Sequence, residues 1–294
     1  QEIAESHLAI PMVVGQKSEK EKFAGAFATY TMEALMHDGK ALQSGTSHNL
    51  GQHFTKAFDI TFTGREGDIE YPYHTSWGLS TRLIGGLIMV HSDDNGLVLP
   101  PKIAPTQVVV IPVAQHKEGV LDKAYEIKKL LEKDFRVEID DSEGYSPGWK
   151  FNQWEMKGVP IRLEIGPRDI ANNQVVIARR DGGEKTSLPM ENLGENIKKL
   201  LDDIQENLYN KALKAREEKT FIAKDMEDFN NIINTTPGFI KAMWCGDREC
   251  EDKIKEDTGA TLRCIPFEQE DLKTTKCLCC GKEAKDMAYF ARAY

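Results

Sequence analysis

All six cysteines of this chain fall at or beyond position 245: Cys245, Cys250, Cys264, Cys277, Cys279 and Cys280. Cys245 and Cys250 form a C-x4-C pair, and Cys277 and Cys280 form C-x2-C followed by Gly281. Two such pairs can place four thiolates tetrahedrally about one ion, and the trailing glycine permits the tight turn that aims amide hydrogens at sulfur. Four sulfur ligands suit zinc. With no open coordination position the site is structural, and its ligation energy is folding energy. Two disulfides, or unliganded buried thiols, are the alternative reading, and Cys279 beside Cys280 leaves the fourth ligand open between them. A secreted disulfide scaffold spreads its cysteines through a small chain, whereas this clustering favours a metal site in a reducing compartment. Cys264, in RCIPF, reads as a strand-core residue.

Two polar segments nearer the start of the chain also carry chemistry. Gln43-Ser44-Gly45-Thr46-Ser47-His48 groups hydrogen-bonding side chains around a glycine, as a loop that meets a small polar ligand would. Thr75-Ser76-Trp77-Gly78-Leu79-Ser80-Thr81-Arg82 sets a glycine beside an aromatic wall. Arg82 precedes Gly85-Gly86 in an apolar stretch, and a cation in such a setting is normally matched by a carboxylate or a phosphate. Surface turns with a salt-bridged arginine are the alternative.

Three blocks must position these residues. In residues 1–105, Glu19–Met36 has helical spacing (Phe23, Ala26, Phe27, Tyr30, Leu35, Met36). LIGGLIMVH reads as a segment packed closely on a sheet through its paired glycines, and LPPKIAP reads as a stiff linker that ends the block. Residues 106–200 alternate strands and helices. Strands are expected at 107–113, 136–140, 161–165 and 174–178, a helix at 120–135, a turn at YSPGWK, and a long helix over 193–216. Residues 201–294 open with a strand and a helix in FIAKDMEDFNNIIN, and the cysteines follow. The fold class is therefore α/β (α+β).

At 294 residues, with 40% hydrophobic and 29% charged side chains, the composition is that of a globular chain of two or three domains. The net charge is -9 and no block is net basic, which excludes a general nucleic-acid coat protein but not a local RNA site. No apolar run approaches the roughly 18 residues of a membrane span, so no membrane association is expected. The chain starts at Gln1 with no signal-peptide pattern and reads as a piece of a longer protein.

The strings KEKFAG, ALQSGTSHNLGQHF, SWGLSTRLIG, HSDDNGLVLPP and YSPGWKFNQWEMKGVPIRLEIGPRD, with the cysteines and the terminal AY, run in order along nearly the whole chain. Together they resemble the prolyl-tRNA synthetases, class II aminoacyl-tRNA synthetases, in their archaeal and eukaryotic-like form. The resemblance implies three domains. Residues 1–105 would be the C-terminal part of the antiparallel-sheet catalytic domain, 106–200 an α/β anticodon-binding domain with a mixed sheet, and 201–294 a small α/β zinc-binding domain. It makes SWGLSTR the third signature motif, with Arg82 the catalytic clamp on the ATP phosphates and Gln43, Thr46, Ser80 and Thr81 also at ATP. It puts His48 and Trp77 at the proline pocket. Glu155, Arg162, Arg168 and Asp169 become readers of the anticodon, and Cys245, Cys250, Cys277 and Cys280 hold structural zinc. The carboxylate of Tyr294 is expected to reach back toward the active site.

The family's first two motifs would lie upstream of Gln1, so this chain alone is expected to be inactive. The implied ligands are ATP, magnesium, L-proline and the proline tRNA, in a cytoplasmic enzyme that is a homodimer when whole, with no DNA partner. No inserted editing domain fits within residues 1–75. A synthetase for another amino acid with the same anticodon domain, or a non-catalytic tRNA-binding or regulatory module, remains open at this point.

Overall fold

A computed structural model describes residues 1–294. The chain folds as two compact units, one comprising Pro11–Gly86 and Leu213–Tyr294 with Gln1, the other Glu2–Ile10 and Leu87–Ala212. No helix is long and apolar enough to cross a membrane.

The first unit opens with an antiparallel meander of β1 (Val13–Gln16), β2 (Ala28–Leu35) and β3 (Ala41–Gly51). A short helix α1 (His53–Ala57) and a small hairpin of β4 (Phe62–Thr63) and β5 (Ile69–Glu70) lead to β6 (His74–Gly78), which pairs antiparallel with β3. Helix α2 (Arg82–His91) follows. The helix expected over 19–36 does not form. Gly25 takes φ +87, outside any helix, and the chain beyond it becomes β2. The helical reading failed because β2 buries Thr29, Thr31 and Glu33 alongside Ala28 and Ala34, while Phe27, just before the strand, is 76% exposed. The expected QSGTSH loop is likewise the middle of β3, its backbone paired with β2 on one side and β6 on the other.

The second unit is built on β7 (Val108–Pro112), α3 (Val120–Leu131), β8 (Val137–Ile139), α4 (Pro147–Met156), β9 (Ile161–Ile165), α5 (Pro167–Ala171), β10 (Gln174–Arg179), β11 (Thr186–Pro189) and α6 (Leu193–Glu218), the last turns of α6 lying in the first unit. The sheet order is β11-β10-β9-β7-β8, with β7 parallel to both neighbours and β10 antiparallel to both of its own. Strand β7 is buried on both faces. Val108 and Val110 join the core made with Ala124 and Ile127 of α3 and Ile197 of α6, while Val109 and Ile111 pack with Phe151 and Trp154 of α4. YSPGWK is not a turn. Ser146 caps α4 by accepting from Trp149 N at 3.3 Å, and Pro147 takes the first helical position, where its missing N–H costs nothing. LPPKIAP is not a free linker either, because Arg136 donates to the carbonyls of Pro101 and Ala104 at 2.8 Å and Pro100, Pro101 and Ala104 are buried.

The chain then returns to the first unit with β12 (Thr220–Ile222), α7 (Met226–Thr235), β13 (Phe239–Trp244), α8 (Arg248–Thr258), β14 (Thr261–Pro266) and β15 (Asp286–Ala291). These strands do not make a sheet of their own. Strand β14 pairs antiparallel with β1, giving one eight-stranded sheet in the order β12-β13-β15-β14-β1-β2-β3-β6. Gly15 permits that junction, since a Cβ there would sit 2.3 Å from the carbonyl oxygen of Ile265. Behind it, the fully buried Glu33 accepts from Lys17 Nζ at 2.8 Å, from Arg263 Nη2 at 2.8 Å and from Thr31 Oγ1 at 2.8 Å. A buried carboxylate is stable only when matched in this way.

Candidate functional site

Strand β13 ends one residue before Cys245, the first turn of α8 carries Cys250, and the loop before β15 carries Cys277 and Cys280. Their four sulfurs all lie within 4.8 Å of one another, with Cys245 to Cys250 at 3.6 Å and Cys245 to Cys280 at 3.8 Å. A disulfide needs about 2.05 Å, and all six cysteines are free thiols, which removes the disulfide reading. Cys280, not Cys279, completes the four. The turn between the last two ligands closes by Gly281 N donating to Cys277 O at 3.0 Å, with Gly281 at φ +72. Burial pushes the Cys245 thiol up to about 11 and raises Cys250 as well, while the backbone N–H of Lys282 draws the exposed Cys280 down to about 7. Four thiolates within 4.8 Å of one another would repel, a cation among them offsets that repulsion, and an all-sulfur donor set suits zinc. Cys264 is fully buried in β14, apart from this set.

The polar segments of the first unit meet across β3 and β6. Thr46 lies opposite Gly78, Ser47 opposite Trp77 and His48 opposite Ser76. Side chains alternate along a strand, so Thr46 and His48 share one face and Ser47 and Trp77 the other. The structure thus separates His48 from Trp77. His48 is fixed by Thr29 Oγ1 at 2.9 Å from its Nδ1, with the Phe23 ring centroid 5.0 Å away, whereas Trp77 is 79% exposed. Arg82 opens α2. Its backbone N–H meets Ser80 Oγ at 3.3 Å, and its Nη1 meets the Gln43 carbonyl at 3.5 Å. The apolar burial expected of Arg82 is not seen: it sits on the outer face of α2, exposed with Ser80 and Thr81, and no carboxylate pairs with it. Of the two glycines only Gly86 is pressed on the sheet, a Cβ there meeting Leu42 at 2.8 Å. Tyr294 is tied near the start of β3. Its N–H donates to Ala41 O at 3.2 Å, and its hydroxyl donates to Asp38 at 2.6 Å.

A third constellation lies in the second unit, in a cavity of about 220 Å³ at the start of β9, lined by Glu155, Arg162, Arg179, Arg180 and Lys185 among others. Most of its cations are already matched. Arg179 pairs with Asp181 at 2.7 Å and with Asp203, and Arg180 makes a bidentate pair with Asp93 at 2.6 and 2.8 Å that holds the Asp93 carboxyl down to about 2. Glu164, which neighbours Arg162 on the same face of β9, accepts from Arg162 Nε at 3.0 Å and from Lys185 Nζ at 2.7 Å. The Phe151 ring lies under both cations, 4.4 Å from Arg162 Cζ and 4.7 Å from Lys185 Nζ. With its Nε engaged and its Cζ over the Phe151 ring, Arg162 keeps both terminal nitrogens without a protein acceptor, though its side chain is only 14% exposed. The half-buried Glu155 carboxylate likewise accepts no hydrogen bond from the protein.

Arg168 and Asp169 lie at the other end of β9, outside this cavity. Arg168 is exposed, and Asp169 caps α5 by accepting from Gly166 N at 2.9 Å. Sequence reasoning missed Phe151, Glu164 and Lys185. The Arg-x-Glu alternation in IRLEI signals that Arg162 and Glu164 share a face, but nothing local brings Lys185 to them.

The family model of the anticodon binding domain matches residues 107–200, and that of the prolyl-tRNA synthetase C-terminal domain matches residues 226–294. The chain is 66% identical over 293 residues to the proline--tRNA ligase of Alkaliphilus oremlandii and 67% identical over 294 residues to that of Acetoanaerobium sticklandii. It is 60% identical over 293 residues to the proline--tRNA ligase of Ruminiclostridium cellulolyticum. Each match covers 100% of this chain and 61% of the relative, so the chain spans about three-fifths of the length of these relatives.

Proposed function

Because the chain belongs to the prolyl-tRNA synthetase family, we propose that it is the C-terminal portion of a ligase that activates L-proline with ATP to prolyl-adenylate and passes the prolyl group to its tRNA. The observation that carries the tRNA half of this reading is the meeting of Arg162 and Glu155 in one cavity, the terminal nitrogens of the one and the carboxylate of the other unspent by the protein. Arginine terminal nitrogens suit the O6 and N7 acceptors of guanine, and a carboxylate suits amino or imino donors on a splayed-out base. Arg168 and Asp169 read neighbouring parts of the anticodon loop from the far end of β9. The four-cysteine cluster holds structural zinc.

In the first unit, Arg82 clamps the ATP phosphates as a planar, permanent cation, with magnesium sharing their charge. Gln43, Thr46, Ser80 and Thr81 contact the nucleotide. His48 lines the proline pocket from one face of the sheet, and Trp77, on the opposite face, does not share that pocket. The Tyr294 carboxylate reaches toward Gln43 from the adjacent start of β3. Such catalysis is positioning and charge stabilisation without a covalent enzyme intermediate. The whole enzyme is a cytoplasmic homodimer, with sequence blocks at 1–105, 106–200 and 201–294, the first and third of which share one sheet.

A second reading applies to the 294 residues alone, as a tRNA-binding module without activation. The exposure of Arg82 and Trp77, and the free edge of β6, favour it. Two assays on the chain test both readings. It is expected to bind proline tRNA in an anticodon-dependent way and to show no proline-dependent exchange of pyrophosphate into ATP. Robust exchange would overturn the inactive-module reading, and binding indifferent to anticodon substitutions would overturn the role of the Arg162 cavity.

A further inference from the structure

The second unit holds a crevice of about 600 Å³ at the C-terminal ends of β7 and β8, on the opposite sheet edge from the Arg162 cavity. The β7–α3 loop (113–116) and the β8–α4 loop (142–147) form its walls. Strand order reverses about β7. The connection leaving β7 runs through α3 over one face, and the one leaving β8 runs through α4 over the other. The crevice lies outside the carboxyl ends of two neighbouring parallel strands, and its volume falls within the roughly 300–1,000 Å³ usual for ligand pockets.

Two independent features mark the crevice as built. Ala114, in its wall, holds φ +59, a left-handed conformation that a residue with a Cβ adopts at a cost and that clusters at ligand sites. On the rim, Tyr145 stacks on Trp149 with ring centroids 3.8 Å apart and planes 14° apart, yet the two rings remain 52% and 43% exposed. Trp149 takes one face of Tyr145, and Tyr145 also lines the crevice.

The chemistry of the walls selects the ligand. The buried Lys150 ammonium donates to Asp140 O at 2.9 Å and to Gln115 Oε1 at 3.4 Å, and it faces Asp140 Oδ1 at 3.5 Å. Gln115 Nε2 donates to Asp141 O at 3.0 Å. The buried cation is therefore matched and unavailable to a phosphate or carboxylate. What stays open is a flat aromatic surface beside the exposed Glu143, an acceptor for an amino group. A neutral, planar, amino-bearing heterocycle fits that combination.

We propose that this crevice is a second nucleobase site, in which a base stacks on the free face of Tyr145. The base comes either from an unpaired position of the tRNA, which rests on the anticodon reading above, or from a free nucleotide, which does not. The test uses the 294-residue chain, its Tyr145→Ala and Tyr145→Phe variants, and three probes: proline-tRNA transcripts with single abasic loop positions, AMP and GMP. Tyr145→Ala is expected to weaken at least one probe about tenfold, the weight of one base–aromatic stack, with Tyr145→Phe within twofold of the parent. If the tRNA supplies the base, one abasic position weakens the parent by a like factor and leaves Tyr145→Ala unchanged. If a free nucleotide supplies it, saturable AMP or GMP binding disappears in Tyr145→Ala alone. Should Tyr145→Ala melt early, Tyr145→Leu keeps the bulk and removes only the aromatic face. Parent-like binding of every probe by a folded Ala or Leu variant would overturn the proposal. Anticodon discrimination retained in that same outcome would leave the Arg162 reading standing, whereas a parent chain blind to the anticodon would remove that reading instead.

Discussion

Replacing Arg162 by lysine keeps the charge and discards the fork. In the parent, Nε is spent on Glu164 at 3.0 Å, the guanidinium lies 4.4 Å over Phe151, and both terminal nitrogens face the cavity without a protein acceptor. A bidentate arginine contact to a base edge contributes about 1–3 kcal/mol of discrimination, and 1.4 kcal/mol is about tenfold in affinity. A lysine ammonium offers point-charge attraction but no parallel pair of donors. Arg162→Lys is therefore expected to lose roughly five- to a hundredfold in binding to cognate proline tRNA while binding anticodon-substituted tRNA almost as the parent does. The dependence of affinity on salt should stay nearly the same, because no cation has been removed. Filter binding of cognate and substituted transcripts at several salt concentrations reads both quantities. A uniform loss across all anticodons would refute the reasoning, since it would make Arg162 a phosphate contact rather than a base reader.

Close to one zinc per chain is expected by elemental analysis, with Cys280→Ser lowering the content and Cys279→Ser leaving it unchanged, because only Cys280 sits within 4.8 Å of the other three sulfurs. A strong chelator should melt the first unit and leave the second folded, as followed by hydrogen exchange. Glu33→Ala should destabilise the first unit by about 3–5 kcal/mol in denaturant titration, since it strands the buried Lys17 and Arg263 cations; a loss below about 1 kcal/mol would contradict their burial. Arg180 holds the folded-state pKa of Asp93 below its unfolded value, so the pair's contribution is complete above about pH 4 and is lost as the pH falls through about 2. Acid titration of the second unit should show that loss, and Asp93→Asn should flatten it.

Much of the second unit was legible from residue patterns. The run at 108–112 is an unbroken apolar strand, IRLEI at 161–165 alternates apolar with charged residues, and the stripes in α3 and α6 follow helical period, so burial and periodicity agree. The grouping of four cysteines was legible for the same local reason: two short cysteine spacings each confine a pair of sulfurs. The first unit was less legible because its interior breaks the rule that periodicity relies on. Strand β2 buries Thr29, Thr31 and Glu33, and only partners distant in sequence (Lys17, His48 and Arg263) make that burial tolerable.

The sequence by itself determined which residues can do chemistry: the four thiols, the Arg82 segment, and Glu155 with Arg162 in one conspicuous string. Tertiary structure alone decided how they are grouped. It joined the first and last thirds of the chain in one sheet through β1 and β14, put His48 and Trp77 on opposite faces, and brought Glu164, Lys185 and Phe151 around Arg162. The physical reason is range. Side-chain period and turn chemistry act over a few residues, whereas strand register and the matching of buried charges are settled only when segments hundreds of residues apart compete for the same hydrogen bonds.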